Sequence, residues 1–399
     1  MLPSRILPAL LLAAGLSQAP GAVADEFSAC LARLQPQAAA KGVSAAAYQR
    51  YTGGLAADLS VLDLLNAQPE FVTPLWDYLA GLVDEQRVAD GKAMLAQHAE
   101  LFERVARQYR VDKYTVAAVW GVESDFGRIT GKRPLLVSLG TLSCYGRRQA
   151  FFQGEFFATL KLLQQGDLRD PAITGSWAGA FGQTQFMPST YARIAEDFDG
   201  DGHRDLVGSV PDALASTANY LRKAGWVPGA AWGYEVKLPA NFAESQAGRT
   251  KRRTVADWQA LGVKRIDGGP LPAGDARAAI LLPTGKAGPA FLVLRNYDAI
   301  YSYNAAESYA LAIALLSDRL RGEPGLRTPW PTDDPGLSRA QRKELQRLLL
   351  ARGHAIGEPD GLIGDNTRRA IQAEQQRLGL QPADGRSGQK ILKALQATH

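Results

Sequence analysis

Lys113-Tyr-Thr-Val-Ala-Ala-Val-Trp-Gly-Val-Glu-Ser-Asp-Phe-Gly127 is the stretch whose reading decides this chain. It predicts a helix, with Val116, Val119, Trp120 and Glu123 at i, i+3, i+4 and i+7 on one face. That face is apolar except for one carboxylate. A carboxyl group in a water-poor, apolar setting loses the hydration of its charge, so its pKa rises. One that stays protonated near neutral pH can hand a proton to a leaving group. The same pattern also fits a helix-end residue whose head reaches solvent, or a buried group paired with an arginine. Asp125 points to the other side if the helix persists, and reads as a solvated residue.

Outward from this helix the chain changes character several times. Residues 25–125 carry mostly helical patterning, including Gly91 to Gln108. Phe151 to Gln165 and Ser209 to Ala224 are further helices, the second opened near Pro211 and ended by Gly225. Residues 226–300 contain short apolar runs, Tyr234 to Leu238 and Phe291 to Leu294, that predict a few strands. Tyr309 to Leu320 returns to helix. The segment Gly322 to Gly336 holds four prolines and three glycines and reads as a linker between domains. Residues 337–399 form a different unit of three helices, with the echoes Asp360-Gly361-x-x-Gly364 and Asp384-Gly385-x-x-Gly388.

Two segments outside the helix offer chemistry. Ser176-Trp-Ala-Gly-Ala-Phe-Gly-Gln-Thr-Gln-Phe-Met-Pro-Ser-Thr-Tyr191 combines glycines, amides and aromatic rings. Gln183 and Gln185 offer paired donors and acceptors of the kind sugar hydroxyls and acetamido groups need. Trp177, Phe181 and Tyr191 offer flat faces for sugar rings; a tightly packed turn would use the same residues. Asp197-Phe-Asp-Gly-Asp-Gly-His-Arg-Asp-Leu-Val-Gly208 has the order of an EF-hand loop, with Asp197, Asp199, Asp201, the His203 carbonyl and Asp205 as ligands. The last position should be a bidentate carboxylate and is Gly208. The loop therefore either binds calcium weakly, with water or Asp212 filling in, or keeps the shape without the ion.

Composition sets the frame. At 399 residues, with 46% apolar and 21% charged residues, the chain is expected to be globular with two or more domains. Residues 1–24 have the pattern of a secretory signal peptide: Arg5, an apolar run from Ile6 to Leu16, and Ala22-Val23-Ala24 before Asp25. Its removal takes away one charge, so the net +5 becomes +4. That mild excess suits an anionic polymer and does not argue for nucleic acid. The run is too short to span a bilayer, no later segment is long and apolar enough, and Cys30 comes too late to be a lipid-attachment site. A soluble, exported protein without a membrane anchor is expected. Export would allow Cys30 and Cys144 to form one bridge; two buried free thiols are the alternative.

Taken together, Glu123-Ser124-x-Phe126-Gly127, Gly146-Arg-Arg-Gln-Ala-Phe-Phe152, Ser176-Trp-Ala-Gly-Ala-x-Gly182, Gln185-Phe-Met-Pro-Ser189 and Asp199-Gly-Asp-Gly-His203 resemble the B-type lytic murein transglycosylases. Tyr303-Asn304 with Tyr309-Ala310 would be that family's late element. The resemblance covers roughly residues 28–322. The tail, through Asp360-Gly-x-x-Gly364-Asp-x-Thr367-Arg, resembles the three-helix peptidoglycan-binding module.

The resemblance implies a mainly α fold: a lysozyme-like helical core with a small β-containing subdomain over residues 25–321, the linker 322–336, and the binding module 337–399. It implies a periplasmic enzyme that acts on peptidoglycan glycan strands and needs no cofactor beyond a structural calcium, if that binds. Glu123 would be the sole catalytic acid and base. Ser176 and Gln185 would orient the muramoyl residue, Tyr303 and Asn304 would close the other side, and Arg147 and Arg148 would meet the anionic stem peptide. No second carboxylate stands in these motifs. A hydrolytic muramidase on the same scaffold, and a non-catalytic wall-binding protein with a structural Glu123, are the rival readings.

Overall fold

The computed structural model describes residues 20–66, 68–272 and 276–398. The expected signal peptide lies outside the described residues up to residue 19. The helix Pro20–Ala40 runs through the expected cleavage site after Ala24. The chain is mainly helical, and apolar side chains gather into four clusters among the described residues.

The first cluster surrounds the helix Lys113–Ser124. The Asp112 carboxylate caps its start by accepting the Thr115 N–H at 3.0 Å. The helices Glu85–Gln97, Ala99–Tyr109, Val210–Lys223 and Glu307–Arg321 pack around it. Val116, Ala117, Ala118 and Val119 are all fully buried, so apolar neighbours surround the helix rather than cover one predicted face. Glu123 lies in the last turn. Gly121 is required there, because a Cβ would stand 2.7 Å from the Phe126 ring. The chain then reverses through Asp125, Phe126 and Gly127 at φ 51°, 59° and 82°. Only glycine adopts that conformation freely, and each of the other two costs roughly 1–2 kcal/mol.

The second cluster joins the helices Pro20–Ala40, Ala45–Thr52, Leu135–Cys144 and Gln149–Gln165. Cys30 and Cys144 are disulfide-bonded across it, with their Cα atoms 5.9 Å apart. The third lies under an antiparallel sheet ordered Arg253–Thr254, Arg277–Leu281, Ala290–Val293, Gly233–Lys237 and Lys264–Arg265. Tyr234 pairs with Leu292, and Ala279 with Val293. The fourth holds together the helices Arg339–Ala351, Asp365–Arg377 and Gln389–Ala397.

One expectation needs correction. The single helix read over Gly91 to Gln108 is two, Glu85–Gln97 and Ala99–Tyr109, separated at His98 (φ −110°). The apolar period continues across His98, so spacing alone does not register the bend. Residues 322–336 form no helix or strand and are held in place. The N–H groups of Arg327 and Thr328 donate to the Glu235 carboxylate at 2.9 and 2.8 Å, and Trp330 packs on the first cluster.

Candidate active site

Glu123 is partly exposed at the end of its buried helix, and its neighbours are hydroxyls rather than cations. The Tyr309 hydroxyl, from the helix Glu307–Arg321, donates to Glu123 Oε1. The Tyr303 ring stacks on Tyr309 with centroids 6.2 Å apart, and Tyr220 lies 4.6 Å from Tyr303. The Tyr303 hydroxyl donates to the Thr184 carbonyl at 2.8 Å. No arginine, lysine or histidine pairs with Glu123 among the described residues. Burial pushes its carboxyl up to about 8, the Tyr309 hydrogen bond pulls it partly back, and the negative charge of Glu70 adds to the rise. Burial also lifts the Tyr303 and Tyr309 hydroxyls well above their usual range, so both are neutral donors at neutral pH.

The loop from Ser176 to Tyr191 is fastened to this helix end. The Ser124 hydroxyl donates to the Gln183 carbonyl at 2.7 Å and accepts the Gly127 N–H at 3.0 Å. The Trp120 indole donates to Gln183 Oε1 at 2.9 Å, and Gln183 Nε2 donates to the Val207 carbonyl at 3.1 Å. Gln183 is buried, and its amide is consumed in this join. Gln185 takes φ 49° and donates from Nε2 to the carbonyls of Thr130 and Gly182 at 3.0 and 2.8 Å. Ser176 closes the turn, its N–H on the Ala180 carbonyl at 2.7 Å and its hydroxyl under the Ala180 N–H at 3.0 Å.

The other candidates fall at different distances from this centre. Asn304 places Nδ2 3.4 Å from Glu70 Oε1, beside a carboxylate whose negative charge adds to the rise of the Glu123 carboxyl. Arg147 donates to the Leu65 carbonyl, and the Arg148 guanidinium lies 4.5 Å from the Phe151 ring. Both are exposed and neither has a carboxylate partner among the described residues. They are not brought into contact with Glu123.

Asp125 is not solvated. It is 8% exposed and meets Arg87 at 3.2 Å, Arg128 at 3.0 Å and Arg339 at 3.2 Å. The left-handed turn at the helix end swings it inward instead of out, which helical phase could not foretell. Outside the sequence motifs, Glu70 on the short helix Pro69–Val72 is a further carboxylate whose charge reaches Glu123.

Sequence patterning missed Glu70, Tyr78 and the Tyr309 contact. Tyr309 was in view as part of a motif. Tyr78 and Glu70 carry no local signal, because only the packing of the helices Leu75–Leu82 and Pro69–Val72 brings them near.

In the Asp/Gly-rich loop, the carboxylates of Asp197, Asp199 and Asp212 come within 4.8 Å of one another. Three hard oxygen donors suit calcium. The Asp201 and Asp205 carboxylates are not part of this cluster. Asp201 accepts the His203 N–H at 2.8 Å, and Asp205 accepts the N–H groups of Val207 and Gly208, both at 2.9 Å. Asp212, on the helix Val210–Lys223, stands where Gly208 supplies nothing. A separate cavity of about 1000 Å³ opens beside Trp76, Thr115, Trp232 and Asp318. Thr115 is at the far end of the Glu123 helix, so cavity size does not locate the chemistry.

A helical core thus presents one uncharged acid beside tyrosines and an amide-rich loop. The chain matches the family described as Transglycosylase SLT domain over residues 26–318, and a peptidoglycan binding domain over residues 338–395. It belongs to the SLT transglycosylase family. It is 32% identical over 263 residues to the membrane-bound lytic murein transglycosylase B of Escherichia coli (strain K12), covering 62% of this chain and 65% of that relative's length. It is similar to the crystal structure of SltB3 from Pseudomonas aeruginosa in complex with NAG-anhNAM-pentapeptide, at 47% identity and a TM-score of 0.74, covering 93% of this chain and 99% of that one. The Escherichia coli lytic transglycosylase Slt35 in complex with calcium aligns at 28% identity and a TM-score of 0.63, covering 74% of this chain and 92% of that one.

Proposed function

We propose that the chain is a lytic murein transglycosylase. It cleaves the β-1,4 bond between N-acetylmuramic acid and N-acetylglucosamine without water and leaves a 1,6-anhydromuramoyl end. The observation that carries the reading is the Glu123 carboxyl, held neutral near pH 7 by burial and faced by tyrosine hydroxyls.

Glu123 gives its proton to the bridging oxygen as the C1–O bond breaks. The substrate's own acetamido oxygen closes on C1 and takes up the developing positive charge, as in substrate-assisted glycosidases. Glu70, engaged by Asn304, adds negative potential nearby. Glu123, now ionised and steadied by the Tyr309 hydroxyl, takes the proton from the muramoyl C6 hydroxyl. O6 then bonds to C1, the acetamido oxygen leaves, and Glu123 is an acid again. Every proton is returned and no cofactor is consumed.

Ser176 and Gln185 orient the muramoyl residue, Tyr303 and Asn304 close the opposite wall, and Arg147 and Arg148 meet the carboxylates of the stem peptide. Calcium held by Asp197, Asp199 and Asp212 supplies loop rigidity and takes no part in the steps. Residues 337–399 hold the wall, joined by residues 322–336 to a catalytic unit of residues 25–321. A signal peptide over residues 1–24 sends the protein to the periplasm. Among the described residues no helix is long and apolar enough to cross a membrane.

The test is digestion of purified sacculi followed by mass analysis of the muropeptides. Anhydro ends, lighter by one water than reducing ends, are expected. Reducing ends alone would make the chain a hydrolytic muramidase.

A further inference from the structure

The wall-binding module does not hang free of the Glu123 helix. Arg386 grips Asp77 with two hydrogen bonds of 2.7 Å. Arg342 lies against Gly81, where a Cβ would stand 2.3 Å from its guanidinium. Arg339 reaches further. Its Nη1 meets Asp125 Oδ2 at 3.2 Å, and its backbone N–H donates to Asp84 Oδ2 at 2.9 Å.

These two carboxylates govern the ends of two catalytic-unit helices. Asp84 caps the helix Glu85–Gln97 by accepting the Arg87 N–H at 2.8 Å. Asp125 is the residue at which the Glu123 helix stops. Arg87 closes the circuit, pairing with Asp125 and donating to the Gly121 carbonyl in that helix's last turn. The side chains of Asp84, Asp125 and Arg87 are 2%, 9% and 8% exposed. Two buried carboxylates thus face one buried guanidinium of their own unit. Arg128, half exposed, shares itself with Asp90. The further cations come from the module: Arg339 on both carboxylates, and Arg342 beside Asp84.

The sequence of the module carries a matching irregularity. The helix Arg339–Ala351 has no acidic residue in its first turn and begins Arg-Ala-Gln-Arg-Lys. Positive charge at a helix N-terminus opposes the helix dipole. The missing anion is Asp84, donated by the other unit.

We propose that Arg339 is a positioning residue for the reaction: through Asp125 it fixes the helix end that carries Glu123, so the wall-binding module acts on catalysis as well as on the wall. The inference rests on the transglycosylase reading for its kinetic arm only. Losing Arg339 takes from Asp125 one of its three guanidiniums, the one that ties the turn to the module, and that turn loosens.

The test uses the full chain and a short soluble glycan, whose turnover needs no grip on sacculi. Arg339→Ala is expected to lower kcat about fivefold at unchanged KM, and Asp125→Asn with Arg339→Ala to be no slower than Asp125→Asn alone. Arg339→Lys keeps the charge and is expected to stay within roughly twofold of the parent. Hydrogen exchange is the arm that stands without activity. The Asp125, Phe126 and Ile129 amides, bonded to Gly121, Trp120 and Ser124, exchange faster in Arg339→Ala and at the parent rate in Arg339→Lys. Unchanged exchange at these amides, or a parent that turns over the glycan while Arg339→Ala keeps its full kcat, overturns the proposal. A parent with no turnover sinks the transglycosylase reading and leaves the exchange result to decide this one.

Discussion

Glu123 and Asp125 stand two residues apart at one helix end, and their surroundings differ in kind. Glu123 meets a tyrosine hydroxyl and apolar walls, and its carboxyl rises to about 8. Asp125 meets three guanidiniums. Burial alone therefore does not make an acid. Glu123, faced by a neutral donor, has its carboxyl pushed up to about 8 and can hand over a proton near pH 7. Asp125, given cations, is a fastening. A left-handed turn between them sends the two side chains to these opposite fates.

The largest effect should come from the uncharged side. Glu123→Gln removes the only proton donor in the scheme, and lysis of sacculi is expected to fall about 10³-fold while the protein still sediments with them. The same variant should reveal the buried acid in stability measurements. A carboxyl raised from 4.5 to about 8 on folding stabilises the fold fully below 4.5, and that contribution is lost as pH climbs through about 8. Denaturation of Glu123→Gln, which does not titrate, should therefore gain on the parent steadily from pH 5 to pH 8. A constant gap would mean that the carboxyl is ordinary.

The charged side should answer in stability first. Asp125→Asn takes the carboxylate from the buried Arg87 and the half-buried Arg339 and is expected to cost about 3 kcal/mol in urea denaturation, with Glu123 still present to do chemistry. Retained stability would demote Asp125 to the solvated residue that helix phase suggested. Tyr309→Phe should be milder, slowing turnover about tenfold through loss of one hydrogen bond to an ionised group. That bond lowers the Glu123 pKa, so the alkaline limb of the rate profile should move to higher pH in the variant. A downward move would contradict the role of Tyr309. Arg128→Ala should do least. Its side chain is 50% exposed, and a loss below about 1 kcal/mol with unchanged kcat is expected.

How far the sequence could be read follows from which features are local. The Glu123 helix, the amide-rich loop, the Asp/Gly loop and the three-helix tail are continuous segments, and residue type with spacing suffices for each. The pairing of Tyr309 with Glu123 joins residues 186 apart, and no periodicity links them. Asp125 was misread because helical phase was carried past the last helical residue into a turn that two non-glycine residues adopt only under tertiary support. Glu70 sits in a four-residue helix with no pattern of its own. In the Asp/Gly-rich loop the missing last carboxylate was visible as Gly208. Of the two substitutes weighed, Asp212 is the one the fold brings in, through the helix Val210–Lys223.

The central claim is that Glu123 is protonated at neutral pH in the resting protein. It is tested most directly by following glutamate carboxyl carbons by NMR in selectively labelled protein and subtracting the spectrum of Glu123→Gln. A single resonance that titrates near pH 8, present only in the parent, is the predicted result. A resonance that titrates near 4.5, as for a carboxyl in open water, would contradict it.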